Sequence, residues 1–148
     1  MSLIRKSTEL SIPTNVKMML YGQAGFGKTT VALSAPSPLL LDFDNGVKRV
    51  NDSHLQGVDI VQVTSWNDMK ELMNENLSAY QSIVVDTIGK MMDFIISYKC
   101  GTRQPQIRDW GGINQEFSWF VRCLSDLNKN IIFVAHRDTR KEGDDTVF

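Results

Sequence analysis

The segment Gly22–Thr29 carries the most specific chemical signal in this sequence. Its letters, GQAGFGKT, match the pattern G-x-x-x-x-G-K-[ST] at every fixed position. Glycines let the backbone N–H groups of such a loop converge on an anionic phosphate, and a helix that follows adds the positive end of its dipole. An apolar run precedes the match and a helix-forming segment follows it, so a chance glycine turn is the weaker explanation. The segment therefore predicts a nucleotide phosphate site.

The side chains of this loop divide the chemistry between them. Lys28 would neutralise the outer phosphates, and the hydroxyl of Thr29 would contact Mg2+. The other predicted nucleotide contacts come from the loop and the residue after it, namely Gly22, Gln23, Ala24, Gly25, Phe26, Gly27 and Thr30.

Acidic residues end two of the predicted strands. Asp86 follows a run of apolar residues, where a second strand of phosphate-loop enzymes supplies a carboxylate for Mg2+. The alternative is a plain helix cap before Thr87. Asp42 and Asp44 alternate onto one face of another strand, and Asp44, which lies further out, is the candidate base that activates water. The alternative for this pair is an ordinary solvated turn.

The two histidines have different settings. His136 follows the run Ile-Ile-Phe-Val-Ala at the carboxyl end of a predicted strand, the edge where open parallel sheets bind their ligands. It could donate a hydrogen bond to a γ-phosphate. His54 lies in a polar segment and is interpreted as solvated.

Short apolar runs alternate with amphipathic segments along the chain. Strands are expected at residues 16–21, 39–43, 59–63, 83–86 and 131–135, and helices at residues 28–35, about 65–77, 87–99 and 113–128. A polar, glycine-bearing stretch separates the last two helices. This order predicts an α/β three-layer fold around a mostly parallel central sheet.

Length and composition narrow the class of protein. The 148 residues predict one domain, and 42% hydrophobic with 22% charged residues predicts a folded chain. A formal net charge of -1 excludes binding to nucleic acid or membranes by bulk basicity. Cys100 and Cys123 form no C-x-x-C pair, which favours a reducing compartment. No apolar run approaches the ~18 residues of a membrane span. We expect a cytoplasmic protein with no membrane partner.

Two classes of phosphate-loop protein, the GTPases and the small-molecule kinases, match parts of the sequence. A GTPase is suggested by Asp86-Thr-Ile-Gly89, which fits D-x-x-G, but no N-K-x-D guanine motif follows the strand that ends at His136. Guanine specificity is therefore disfavoured. A small-molecule kinase fits the compact size and the second threonine, Thr30. Its arginine lid would come from Arg103, from Arg108, or from Arg137 together with Arg140.

The order of the elements resembles the RecA-like ATPase core, most closely the small RecA-like ATPases of bacteriophages that act in single-strand annealing and recombination. The anchors are the phosphate loop, the acidic turn at Asp44, the strand at 60–63 with its helix, and the strands ending at Asp86 and His136. The resemblance covers about residues 16–140. It implies ATP as the nucleotide, hydrolysis with Mg2+, and a sensor strand between the phosphate-loop strand and the Asp86 strand.

Individual roles carry over by position. The resemblance implies that Lys28 and Thr29 hold phosphate and Mg2+ and that Asp86 supports the metal. Asp44 stands where the RecA-like pattern has a catalytic glutamate, which is one methylene longer, so we expect slow hydrolysis. His136 stands where the pattern has a polar sensor that links the γ-phosphate to a DNA-binding loop.

The resemblance also implies two loops that contact single-stranded DNA. The first loop carries Lys99, Arg103, Arg108 and Trp110. These side chains could bind phosphates and stack a base, whereas the alternative is a polar loop whose tryptophan packs into the core. The second loop follows His136 and holds Arg137 and Arg140 among acidic residues, a mixture that is more typical of a hinge or subunit contact.

Together these observations predict a RecA-like P-loop core over residues 16–148 that lacks its C-terminal strands, after an N-terminal extension over residues 1–15. We expect a slow ATPase stimulated by single-stranded DNA, acting in phage recombination or annealing in the host cytoplasm. A nucleotide-switched DNA- or protein-binding module with little turnover is the alternative. Assembly into a homo-oligomer remains open.

Overall fold

The computed structural model describes residues 4–11 and 14–138, and the backbone of residues 140–142 and 145–147. Within these residues a central sheet contains β1 (Lys17–Gly22), β2 (Pro38–Asp42), β3 (Asp59–Gln62), β4 (Ser82–Asp86) and β5 (Asn130–His136). The α-helices are α1 (Lys28–Leu33), α2 (Asp52–Leu55), α3 (Asn67–Leu72), α4 (Ile88–Cys100) and α5 (Trp110–Asp126). Short 3-10 helices lie at Ser7–Glu9, Gly46–Arg49 and Ile107–Asp109, and β6 (Arg140–Glu142) pairs with β7 (Asp145–Val147) as an antiparallel hairpin. No helix in this described part is long and apolar enough to cross a membrane.

The strand order brings the predicted site residues to one edge of the sheet. The order is β1-β5-β4-β2-β3, and all neighbouring strands are parallel. β5 therefore lies between the phosphate-loop strand β1 and the strand β4 that ends in Asp86, which confirms the predicted position of the sensor strand. In register, Gly22 pairs with His136, and Asp42 pairs with Asp86. The carboxyl ends of parallel strands form the edge where such sheets bind ligands.

The central strands are buried because helices cover both faces of the sheet. β2 and β4 are buried along their whole length, as continuous apolar runs in a parallel sheet predict. Leu39 and Leu41 pack into one core with α3, α4 and α5, and Leu40 packs into the other with α1. This alternation follows from the two-residue period of a strand. The predicted three-layer α/β fold, with a mostly parallel sheet, is confirmed.

Several element boundaries differ from the sequence-based expectation. α3 ends at Leu72 rather than near residue 77, and α5 begins at Trp110 rather than at Ile113. The glycines at 111 and 112 favour a loop by propensity, but the preceding turn supports an early start because Asp109 accepts the backbone N–H of Gln106 at 2.7 Å. After His136 the described backbone forms the β6–β7 hairpin rather than an unpaired loop.

Candidate functional site: a nucleotide cleft

The phosphate loop connects β1 to α1 through two glycines in the left-handed region. Gly25 has a φ of +84° and Gly27 has a φ of +75°, values that residues with a side chain rarely adopt. The backbone N–H of Val31 then donates to the carbonyl of Gly27 at 3.0 Å and closes the first turn of α1. These glycines are therefore needed for the path of the backbone itself.

Lys28 is held across this loop by two backbone acceptors. Its Nζ donates to the carbonyl oxygen of Gly22 at 3.0 Å and to that of Gln23 at 2.6 Å. Lys28 also lines the adjacent cleft, so its ammonium charge lies at the place where a phosphate would enter the loop. The geometry agrees with the predicted role of this residue on the outer phosphates.

Thr29 and Asp86 meet at the edge of the sheet although 57 positions separate them in the sequence. The hydroxyl Oγ1 of Thr29 donates to Oδ2 of Asp86 at 2.6 Å. Hydroxyl and carboxylate oxygens suit Mg2+, which takes its other ligands from water and substrate phosphates rather than from a protein cage. The described residues contain no cluster of three or more His, Cys, Asp or Glu side chains that could hold a metal ion by themselves. The pair therefore fits Mg2+.

The setting of Asp86 favours a bound cation. Asp86 is only 3% exposed. Burial raises its pKa, the hydrogen bond from Thr29 opposes this, and the neighbouring carboxylates of Asp44 and Asp42 raise the pKa further. A cation beside Asp86 would offset the repulsion. The alternative of a plain helix cap is not supported, because the side chain of Thr87 accepts the first-turn N–H of α4 instead.

Asp42 and Asp44 hold the turn that follows β2. The backbone N–H of Gly46 donates to Oδ1 of Asp42 at 3.0 Å and to Oδ1 of Asp44 at 2.8 Å. Both carboxylates thus lie on one side of the turn, as the alternation predicts. Asp42 is buried, and that burial raises its pKa despite backbone hydrogen bonds from Val47 and Gly46. Asp44 is also part of the turn, but it lines the cleft, as a base for water would have to do.

The second oxygen of Asp44 connects two further residues of the cleft. Its Oδ2 lies 3.3 Å from a terminal guanidinium nitrogen of Arg49 and 3.9 Å from Nε2 of His136. The residue after His136 is tied to the start of the phosphate loop, since the backbone N–H of Arg137 donates to the carbonyl of Gly22 at 2.8 Å. His136 thus lies near Asp44 of the acidic turn, at the end of the strand predicted to carry the sensor, and the next residue is bonded to the start of the phosphate loop.

Together these residues enclose a cleft of about 540 Å3, a volume typical of small-molecule sites. The residues lining it are Ala24, Gly25, Gly27, Lys28, Thr29, Thr30, Asp44, Gly46, Arg49, Val50, Asn51, His54, Asp86 and His136. Arg49, Asn51 and His54 were not among the predicted site residues, because no motif marks the segment after Asp44. His54 is exposed, as predicted, but it belongs to α2 and lines the cleft.

The first predicted DNA loop differs from the cleft, because two of its cations, Lys99 and Arg103, pair with acidic residues of the same chain. Lys99 Nζ lies 3.4 Å from Oε1 of Glu116. Arg103 forms a two-point contact with Asp109, at 2.6 and 3.1 Å, which holds the pKa of that carboxyl well below its ordinary value. Arg108 is exposed.

Trp110 stands at the start of α5 and is 41% exposed, so the alternative in which it packs into the core is wrong. Ile107, three residues earlier in the 3-10 helix before α5, is 95% exposed. The surface at this end of α5 therefore offers an aromatic ring and an aliphatic side chain to solvent.

The arginines proposed for a kinase lid do not gather over the cleft. Arg103, Arg108 and Arg137 are not among the described residues that line it, whereas Arg49 is. The side chain of Arg140 lies outside the described part of the chain, and only its backbone, in β6, is described. The kinase alternative therefore gains no support from the described positions of Arg103, Arg108 and Arg137.

Comparison with known proteins agrees with this geometry. The SPbeta prophage-derived uncharacterized protein YorG of Bacillus subtilis (strain 168) is 25% identical over 158 aligned positions, which cover 96% of this chain. The chain spans 46% of the length of that relative. A family model described as an AAA domain matches residues 14–147. With a phosphate loop, a hydrogen bond between Thr29 and Asp86 and a parallel sheet in this arrangement, the chain belongs to the AAA domain family of P-loop ATPase-like proteins.

Proposed function

We propose that this chain binds ATP with Mg2+ in the cleft and hydrolyses it, and that hydrolysis is coupled to single-stranded DNA in phage recombination or annealing. The observation that carries the first part is the 2.6 Å contact between Thr29 and Asp86 beside the phosphate loop. It joins the two protein ligands that a Mg2+-dependent nucleotide site needs, and Asp44 lines the same cleft.

Each side chain of the cleft has a distinct task in this proposal. Mg2+ at Thr29 and Asp86 would neutralise negative charge on the phosphates. Lys28 neutralises the outer phosphates, Asp44 accepts the proton of the attacking water, and His136 donates a hydrogen bond to the γ-phosphate. We expect slow hydrolysis because Asp44 is one methylene shorter than the glutamate of the RecA-like pattern, and because its Oδ1 already accepts the backbone N–H of Gly46.

The DNA part of the proposal is supported by two exposed residues near the start of α5 and by the prophage origin of the relative YorG. Arg108 and Trp110 are exposed near each other in the sequence, a combination that suits backbone phosphates and stacked bases. The relative YorG is described as prophage-derived, which favours a phage role and hence the cytoplasm of a host cell. A nucleotide-switched module that binds DNA or protein without turnover would use the same cleft.

The test is a phosphate-release assay on the purified chain. We expect Mg2+-dependent release from ATP, weaker release from GTP, and an increase when single-stranded DNA is added. Tight ATP binding without release in either condition would favour the switched module over the ATPase. Release that is unaffected by DNA would remove the DNA coupling and leave the ATPase standing.

A further inference from the structure

The cleft contains a cation that the roles above leave unused. Of the described residues that line it, two carry a permanent positive charge, Lys28 and Arg49. Lys28 belongs to the phosphate loop, whereas Arg49 ends the 3-10 helix that follows the acidic turn. Phosphoryl transfer spreads negative charge over the γ-phosphate oxygens, and a guanidinium is well suited to bind such oxygens.

The backbone of Arg49 is held in place, whereas its side chain extends into solvent. The 3-10 helix is anchored because Val47 is buried, and its backbone N–H donates to Oδ2 of Asp42 at 3.4 Å. The Arg49 side chain is 73% exposed, and its contact with Asp44 is 3.3 Å long. The Asp44 side chain is only 12% exposed, but the arginine half of the pair is open to water, which weakens such pairs. A more highly charged phosphate in the same cleft would therefore compete for the guanidinium.

We propose that Arg49 contacts the γ-phosphate of ATP bound in the same chain and stabilises the charge that develops during hydrolysis. This inference rests on the proposed function of the cleft. In the step, the oxygen of water bonds to the γ-phosphorus while the bond to the β–γ bridging oxygen breaks. The bridging oxygen leaves with ADP, and the proton of the water passes to Asp44. Transfer of Arg49 from Asp44 to the phosphate also frees Oδ2 of Asp44 to take that proton.

The experiment compares Arg49→Ala and Arg49→Lys with Lys48→Ala, which removes a neighbouring positive charge from the same 3-10 helix but does not line the cleft. For Arg49→Ala we expect the rate of phosphate release to fall about 1000-fold. Its preference for ATP over ADP should fall about tenfold, with ADP affinity unchanged, because only ATP carries the γ-phosphate. Arg49→Lys restores the positive charge but lacks the planar, two-point donor geometry of a guanidinium, so it should recover only part of the lost rate of phosphate release. Lys48→Ala should behave as wild type.

A cycle with Asp44→Ala separates phosphate contact from mere support of Asp44. We expect Arg49→Ala to reduce the preference for ATP over ADP in the Asp44→Ala background as well. Loss of the effect in that background, or a wild-type ATP preference in Arg49→Ala, would overturn the inference while leaving the ATPase intact. If the wild-type chain releases no phosphate but Arg49→Ala loses its preference for ATP over ADP, the proposed hydrolysis is refuted while the proposed contact of Arg49 with the γ-phosphate is supported.

Discussion

The nucleotide cleft and the loop between α4 and α5 (residues 101–109) both bring charged residues together, but they do so in different ways. In the cleft, two of the contacts join residues far apart in the sequence, Thr29 to Asp86 and Asp44 to His136. In the α4–α5 loop, Arg103 pairs with Asp109 only six residues away. Contacts between distant parts of the chain thus surround the open cleft, whereas the Arg103–Asp109 pair chiefly fixes the conformation of its own loop.

Removal of Lys28 should produce the largest effect on the cleft. Lys28→Ala deletes the cation beside the phosphate loop, so we expect ATP affinity and phosphate release to fall by at least about 100-fold. Titration with labelled ATP measures the first effect. The matched control is Lys90→Ala, whose ammonium is exposed and pairs with Asp93 on α4. Equal losses of ATP affinity in Lys28→Ala and Lys90→Ala would show that the phosphate loop is not the binding site for the ATP phosphates.

Asp86→Asn tests the metal pair. The amide keeps an oxygen that can accept from Thr29 but loses the charge that attracts Mg2+, so we expect a loss of about 10- to 100-fold in Mg2+-dependent ATP affinity. Binding of ATP in the presence of a chelator should change far less. A loss of the same size with and without the metal would argue that Asp86 serves the fold rather than the ion.

Gly46→Ala tests the acidic turn without removing a charge. A Cβ at this position would lie 2.5 Å from Oδ1 of Asp44, so the carboxylate must move. We expect phosphate release to slow about tenfold while ADP affinity stays unchanged, because displaced catalytic groups lose rate first. Gly89→Ala is the control, since a Cβ there meets nothing within 4 Å. Unaltered turnover in Gly46→Ala would remove Asp44 from the catalytic step.

Substitutions in the α4–α5 loop and at the start of α5 should have smaller effects, and only on DNA. Arg108→Ala with Trp110→Ala should weaken single-strand affinity about fivefold and flatten its dependence on salt. Arg103→Ala should weaken it less, because that guanidinium is paired with Asp109. Fluorescence anisotropy with a labelled oligonucleotide measures both. A larger loss of single-strand affinity in Arg103→Ala would mean that DNA displaces Asp109 from Arg103. The pairing in this loop would then not be purely structural.

Two carboxylates allow the same contrast to be tested through stability and pH. Burial raises the pKa of Asp86, so its charge costs stability once the pH rises through that raised pKa. Metal-free Asp86→Asn should therefore have a slightly higher melting temperature than wild type near neutral pH, and the difference should vanish in acid.

Arg103 lowers the pKa of Asp109, so that carboxylate stabilises the fold above its ordinary pKa and ceases to do so as the pH falls. Asp109→Asn should melt lower than wild type at neutral pH, with the difference again lost in acid. Shifts of the same sign would refute this distinction.

Much of the fold and the heart of the site could be predicted, because both depend on local patterns. Apolar runs mark the buried strands, and the glycine spacing with Lys28 marks the phosphate loop. Asp86 and His136 follow from their places at strand ends, which a parallel sheet brings to one edge. Arg49 could not be predicted in the same way, because its place in the cleft depends on a turn whose shape is set by Asp42 and Gly46. The pairing of Lys99 with Glu116 likewise depends on how α4 packs against α5.

Hydrogen exchange with and without Mg2+-ATP tests the central claim most directly, because it reports on both regions in one experiment. We expect slower backbone exchange in residues 22–30 and 42–54 when Mg2+-ATP is added, with little change in residues 101–109 while DNA is absent. Protection confined to residues 101–109, or no protection on either side of the cleft, would contradict it.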